Sequence, residues 1–177
     1  MILMMLKSAE MSATLKQISI SRIKERDNEA IAKVIRTTLE EFGANHPGTV
    51  YYDAFTDHLF ELFQTPKSVY YVAQLGDEIV GGGGIYPSDG LPADTCELVK
   101  MYVLKKVRGI GLGKTLIQKS LTFAKEAGFK NVYLESMPEL KQALNTYEKF
   151  GFHYLSSQLG NTGHFGCSLW MLKNIEG

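Results

Sequence analysis

The segment that most constrains the fold is Glu97 to Gly113, ELVKMYVLKKVRGIGLG. Its first part, Glu97–Val103, is largely apolar and β-prone, which predicts a strand. Arg108-Gly-Ile-Gly-Leu-Gly113 then places three glycines in six residues, and Lys114–Ala127 follows with helical periodicity. Strand, glycine turn and helix together direct a row of free backbone N–H groups at an anion. Glycine suits such a turn because the backbone must approach the ligand closely and adopt positive φ.

Spacing excludes the two best-known phosphate loops. Gly113-Lys114-Thr115 supplies the end of a Walker A sequence, but its first glycine would fall at Arg108. A G-x-G-x-x-G fingerprint begun at Gly109 would end at Lys114, and one begun at Gly111 would end at Leu116. What the residues spell is Arg-x-x-Gly-x-Gly directly after a strand.

In that context the segment resembles motif A of the GNAT superfamily, the acetyl-CoA-dependent N-acetyltransferases, whose loop amides hold the CoA pyrophosphate at a helix N-terminus. The resemblance makes Arg108, Gly109, Ile110, Gly111, Gly113 and Lys114 the expected pyrophosphate loop. It makes the Met101 amide the expected donor to the acetyl carbonyl, and the Val103 main chain the partner of the pantetheine arm. Ala143-Leu-Asn-Thr-Tyr147-Glu-Lys-Phe-Gly151-Phe152 resembles the family's motif B. There the tyrosine lies near the sulfur as general acid, so Tyr147 is the candidate. A phenol, at about 10, can protonate a thiolate whose acid is at about 8.5. Many members place an asparagine seven residues before this tyrosine; here that position is Leu140, with Asn145 as the substitute considered.

Strand alternation puts Glu97, Val99, Met101 and Val103 on one face, with Lys100 pointing away as a solvated or paired lysine. An attacking alkylammonium, at about 10, must lose a proton, and a carboxylate raised by burial can accept it. Glu97 stands eleven residues before Arg108, where the family often carries its general base. A carboxylate that merely pairs with a lysine is the plainer reading. Tyr51, Tyr52, Gly84 and His164 are weaker candidates for the acceptor site. Gly84 belongs to the run Gly81–Gly84 inside a predicted strand, which either admits a ligand or lets a helix lie close.

The remainder predicts a strand at Ile18–Ile23, a helix from Asp27 or Asn28 to Gly43, and a second helix over Tyr51–Phe63. That second helix carries Tyr51, Phe55, Leu59 and Leu62 on one stripe. Strands are expected at Ser68–Leu75 and Glu78–Tyr86 about a Gly76-Asp77 turn, then Asn131–Ser136, a helix after Pro138, and a final pair, Phe152–Ser156 with Cys167–Lys173. This order is that of an α/β (α+β) GNAT fold. It implies a central mixed, mostly antiparallel sheet of about seven strands flanked by about four helices. Residues 1–15 are expected to be a loosely ordered extension, and 16–177 a single domain.

Nineteen basic and nineteen acidic residues cancel, so charge offers no argument for nucleic acid or membrane. Cys96 and Cys167 lack metal-ligand spacing, no metal is expected, and a disulfide between them stays open. Cytoplasmic residence is the default. The expected partner is a small-molecule amine, and a homodimer through an edge near the last strands is the assembly that fold analogy suggests. A non-catalytic acyl-CoA-binding module and a nucleotide-phosphate binder resting on Gly-Lys-Thr are the competing readings.

Overall fold

The computed structural model describes residues 2–176. Five helices, α1 (Ile2–Gln17), α2 (Asn28–Glu41), α3 (Leu59–Leu62), α4 (Leu112–Glu126) and α5 (Lys141–Lys149), surround seven strands. The strands are β1 (Ile18–Arg22), β2 (Val69–Leu75), β3 (Glu78–Tyr86), β4 (Thr95–Val103), β5 (Asn131–Ser136), β6 (His153–Tyr154) and β7 (Leu169–Asn174). The stretch 1–15, expected as a loose extension, is thus helical from Ile2 onward, within α1. The sheet order is β1-β2-β3-β4-β5-β7-β6, antiparallel throughout except for β4 beside β5.

Helix α2 covers one face of the sheet. Its Ile31, Val34, Ile35 and Leu39 are buried with Tyr70 and Val72 of β2 and Val99 and Tyr102 of β4. Each such aliphatic side chain contributes about 1.5–3 kcal/mol on burial. Helices α4 and α5 cover the other face, where Ile117, Leu121, Leu144 and Tyr147 meet Cys96, Leu98, Val132 and Leu134.

Asp27 and Asn28, at the start of α2, leave its first turn without a side-chain cap. Asp27 accepts from the Lys24 amide, and the Asn28 carbonyl oxygen accepts from Phe60 N, tying α3 to the start of α2. The predicted helix Tyr51–Phe63 is broken into two 3₁₀ turns, Val50–Tyr52 and Ala54–Asp57, before the single turn of α3. Asp53 is the breaker. Its backbone is extended and its carboxylate accepts from Phe55 N, while the Thr56 hydroxyl donates to Val50 O. Such local side-chain bonds compete with the helical ladder. The expected stripe is lost, leaving Phe55 56% exposed and Leu59 sealed.

The glycine run of β3 is explained by close neighbours. A Cβ at Gly82 would stand 2.9 Å from Ile31 of α2, and one at Gly84 only 2.2 Å from the Val69 carbonyl oxygen. Gly84 is therefore enclosed by β2 and offers no surface to an acceptor. Cys96 and Cys167 are both free thiols. Among the described residues, no helix is long and apolar enough to cross a membrane.

Candidate active site

Two features of β4 shape the site. Its parallel pairing with β5 covers only Thr95↔Asn131, Cys96↔Val132 and Glu97↔Tyr133, after which the ladder ends. On the other edge, Gly84 pairs with Val99 but Gly82 pairs with Tyr102, so Lys100 and Met101 together face Gly83 alone. This is a β-bulge, and it puts Lys100 in the left-handed region at φ 51°, a conformation costing a non-glycine residue about 1–2 kcal/mol.

The bulge overturns the expected alternation. Glu97, Val99 and Lys100 lie on the α2 face, whereas Met101 and Val103 turn to the α4 face. The inserted residue flips every later side chain. Lys100 is accordingly neither solvated nor turned away from Glu97. It is buried and its ammonium holds Asp53 at 2.5 Å.

A cleft of about 600 Å³ opens beside the bulge, reaching Thr38 and Phe42 at the end of α2. One wall carries Met101, Val103, Arg108, Gly109, Ile110, Gly111, Gly113 and Lys114; the other carries Leu140, Gln142, Ala143, Thr146 and Tyr147. Gly111 caps α4 in a left-handed conformation, φ 98°. A Cβ on Gly109 or Gly113 would meet nothing within 4 Å. The first-turn amides of α4 lack intrahelical acceptors, and no acidic residue stands among them. These residues fit the diphosphate of CoA.

Arg108 serves the loop mostly as a fastener. Its Nε donates to Val103 O at 2.8 Å, its two Nη atoms grip both Glu41 oxygens at 2.8 Å, and its guanidinium lies 4.9 Å from the Phe42 ring centre. The Val103 carbonyl is therefore already engaged. Asn145 is exposed on α5 and lies outside the cleft; Gln142 and Thr146 are the polar residues that α5 presents there. Tyr147 is buried with its ring against Phe152, and burial raises its phenol well above the ordinary value.

On the α2 face, Glu97 is 3% exposed and accepts a short hydrogen bond from the Ser88 hydroxyl. Burial pushes its carboxyl up to about 7, against the Ser88 bond and the His164 charge. One donor atom each from Glu97, Glu135 and His164 lie within 4.8 Å of one another. Those are donor types a divalent cation accepts, but hydrogen bonds already engage both Glu135 oxygens. Tyr133 Oη and Gln158 donate to Oε1 and Thr162 donates to Oε2. His164 Nε2 stands 3.8 Å from Asp53, and its Nδ1 stands 3.9 Å from Glu135. Burial opposes ionisation of Asp53, but His164 and Lys100 outweigh it and hold the carboxyl well below the usual range.

Of the four acceptor-site candidates, only His164 joins Glu97. The Tyr51 hydroxyl is spent on Glu40 at 2.6 Å, Tyr52 is 62% exposed, and Gly84 is walled in. Asp53, Ser88 and Glu135 escaped sequence reasoning, and Lys100 entered it only as a solvated or paired lysine, of which the pairing is what the structure shows. For Glu135 a signal existed: Tyr133 and Glu135 alternate with apolar Val132 and Leu134 on the strand beside β4.

Comparisons agree with this geometry. The profile described as "Acetyltransferase (GNAT) family" matches residues 31–152. An Escherichia coli protein named uncharacterized N-acetyltransferase YjgM is 41% identical over 155 residues, covering 87% of this chain and 93% of that one. An N-alpha-acetyltransferase of Sulfurisphaera tokodaii is 30% identical over 146 residues, covering 77% and 81%. The fold is shared with a GNAT acetyltransferase of Staphylococcus aureus Mu50 (TM-score 0.78, 20% identity, 90% and 99% covered). It is also shared with the PaiA N-acetyltransferase of Thermoplasma acidophilum, solved in complex with coenzyme A (TM-score 0.69, 17% identity, 89% and 98% covered). The chain belongs to the GNAT acetyltransferase family and is an N-acetyltransferase.

Proposed function

We propose that this N-acetyltransferase moves an acetyl group from acetyl-CoA directly to the primary amine of a small molecule within a ternary complex. The carrying observation is the end of the β4–β5 ladder at Glu97↔Tyr133. Beyond it β4 is unpaired on that edge, next to the cleft lined by Met101 and Tyr147, and in this reading the amine on the Glu97 face meets the thioester through that gap. Acetyl-CoA supplies the thioester. The α4 N-terminus, Gly109–Gly113 and Lys114 bind its diphosphate, with Arg108 holding the loop in shape.

In this reading the Met101 N–H donates to the thioester carbonyl and stabilises negative charge on its oxygen. Glu97 accepts the amine proton through water, with a carboxyl near 7 matched to that task. Tyr147 donates a proton to the departing sulfur. His164 and Glu135 stand beside Glu97 and orient the acceptor's ammonium. The enclosure of Glu97 favours a slender amine over a folded protein surface.

Calorimetric titration with acetyl-CoA, followed by thiol release against small amines, amino acids and N-terminal peptides, tests the reading. Micromolar binding that Gly111→Glu weakens, with turnover of small amines, is expected. Turnover confined to peptides would move the acceptor class to protein N-termini. Binding without any turnover would favour a regulatory module, and absence of binding would overturn the proposal.

A further inference from the structure

The Lys100 carbonyl and the Met101 N–H belong to one trans peptide unit, so they point in opposite directions. The buried Tyr70 hydroxyl of β2 reaches across β3 and donates to that carbonyl at 2.8 Å. It thereby fixes where the Met101 N–H is aimed. The same residue is gripped from its other end, because the Lys100 side chain, only 3% exposed, ends on Asp53. Asp53 is itself held by its bond from Phe55 N at the start of a 3₁₀ turn.

Neither partner is needed for an ordinary strand. A bulge residue in the left-handed region is most simply a glycine. A lysine there must place a charged side chain inside the protein and find it a carboxylate. The Tyr70 hydroxyl spans a strand whose glycines leave room for its ring, since a Cβ at Gly82 would lie 2.8 Å from that ring and one at Gly84 2.9 Å. The glycine run, the bulge and the ion pair therefore converge on one peptide plane.

We propose that Tyr70 and Asp53 are positioning residues that clamp the Lys100–Met101 peptide from two sides and so aim the Met101 N–H at the acetyl carbonyl. The inference rests on the Met101 role proposed above and adds the residues that enforce it. The clamp acts through the backbone of Met101, and neither residue touches the cosubstrate. It also links the 46–57 segment, through Asp53, to the carbonyl-polarising group, so an acceptor docking on that segment meets a preset donor.

Tyr70→Phe removes one hydroxyl and leaves the ring in place, and Asp53→Asn keeps the cap on Phe55 while deleting the charge. The double variant Asp53→Asn/Lys100→Met serves if a lone buried ammonium prevents folding. The first readout is the ¹³C resonance of carbonyl-labelled acetyl-CoA bound to each protein, and the second is steady-state kinetics. The wild type should shift the bound carbonyl downfield of the free ligand. Tyr70→Phe and the Asp53 variants should bind acetyl-CoA within about threefold of wild type, move the resonance back toward its free position, and lose kcat about tenfold. A purely structural role would lower thermal stability and leave the resonance and kcat in place, which would overturn the clamp while the Met101 role stood. A wild-type protein that binds acetyl-CoA with no carbonyl shift would overturn both.

Discussion

Replacing Glu97 by Gln should stabilise the protein at alkaline pH while abolishing its activity. Burial carries the Glu97 carboxyl from an ordinary 4.5 up to about 7. The folded chain therefore holds this proton more tightly than the unfolded chain does, and the associated stability is complete below pH 4.5 and lost as pH rises through about 7. The rise corresponds to ~3 kcal/mol of folded-state cost for the carboxylate, undiminished by solvent because the side chain is almost wholly buried. Glutamine keeps the shape, accepts from Ser88 through its carbonyl, and carries no charge to bury. Urea unfolding of wild type and Glu97→Gln between pH 4 and 9 checks this. The difference should be small at pH 4, grow between about 4.5 and 7, and level off near 3 kcal/mol above. Parallel stabilities across the range would refute burial as the source of the raised value. In the same pH series, wild-type kcat/KM should fall about tenfold per pH unit below about 7 as the base is protonated.

Tyr147→Phe should reduce kcat about 10- to 100-fold and leave acetyl-CoA affinity within about threefold in calorimetry, since only the proposed acid is lost. Glu41→Gln should release the Arg108 guanidinium toward the diphosphate and tighten CoA binding a few-fold, with a steeper salt dependence. Gly111→Ala, forcing a Cβ at φ 98°, should cost about 1 kcal/mol of stability in thermal denaturation and weaken CoA binding. Gly84→Ala should unfold the sheet, because no small shift relieves a Cβ 2.2 Å from a backbone carbonyl; soluble expression and circular dichroism report it.

The elements that sequence made legible are those governed by local periodicity. Glu78–Tyr86 and Asn131–Ser136 form strands over the expected residues, and Gly109–Gly111 make the expected turn into α4. Where side chains compete with the backbone, periodicity misleads. Asp53 and Thr56 break a helix whose apolar stripe looked continuous. Lys100 defeats alternation because a bulge is a property of two strands at once, set by the Gly83 that both Lys100 and Met101 oppose. The Glu97 cluster was half visible. Glu97 lies within a recognisable segment, but Ser88, Asp53, Glu135 and His164 come from four other parts of the chain, and only the fold brings them together.

The short ladder between β4 and β5 has a mechanical consequence. The sheet is two panels, β1–β4 and β5–β7, joined along their common seam at three residue positions. So short a seam leaves few main-chain bonds between the panels, and in the proposed reading a ligand whose own amides lay along the open part would splint it. Loading with CoA should therefore stiffen the whole molecule in hydrogen exchange, with protection gained on both panels rather than only where the ligand touches.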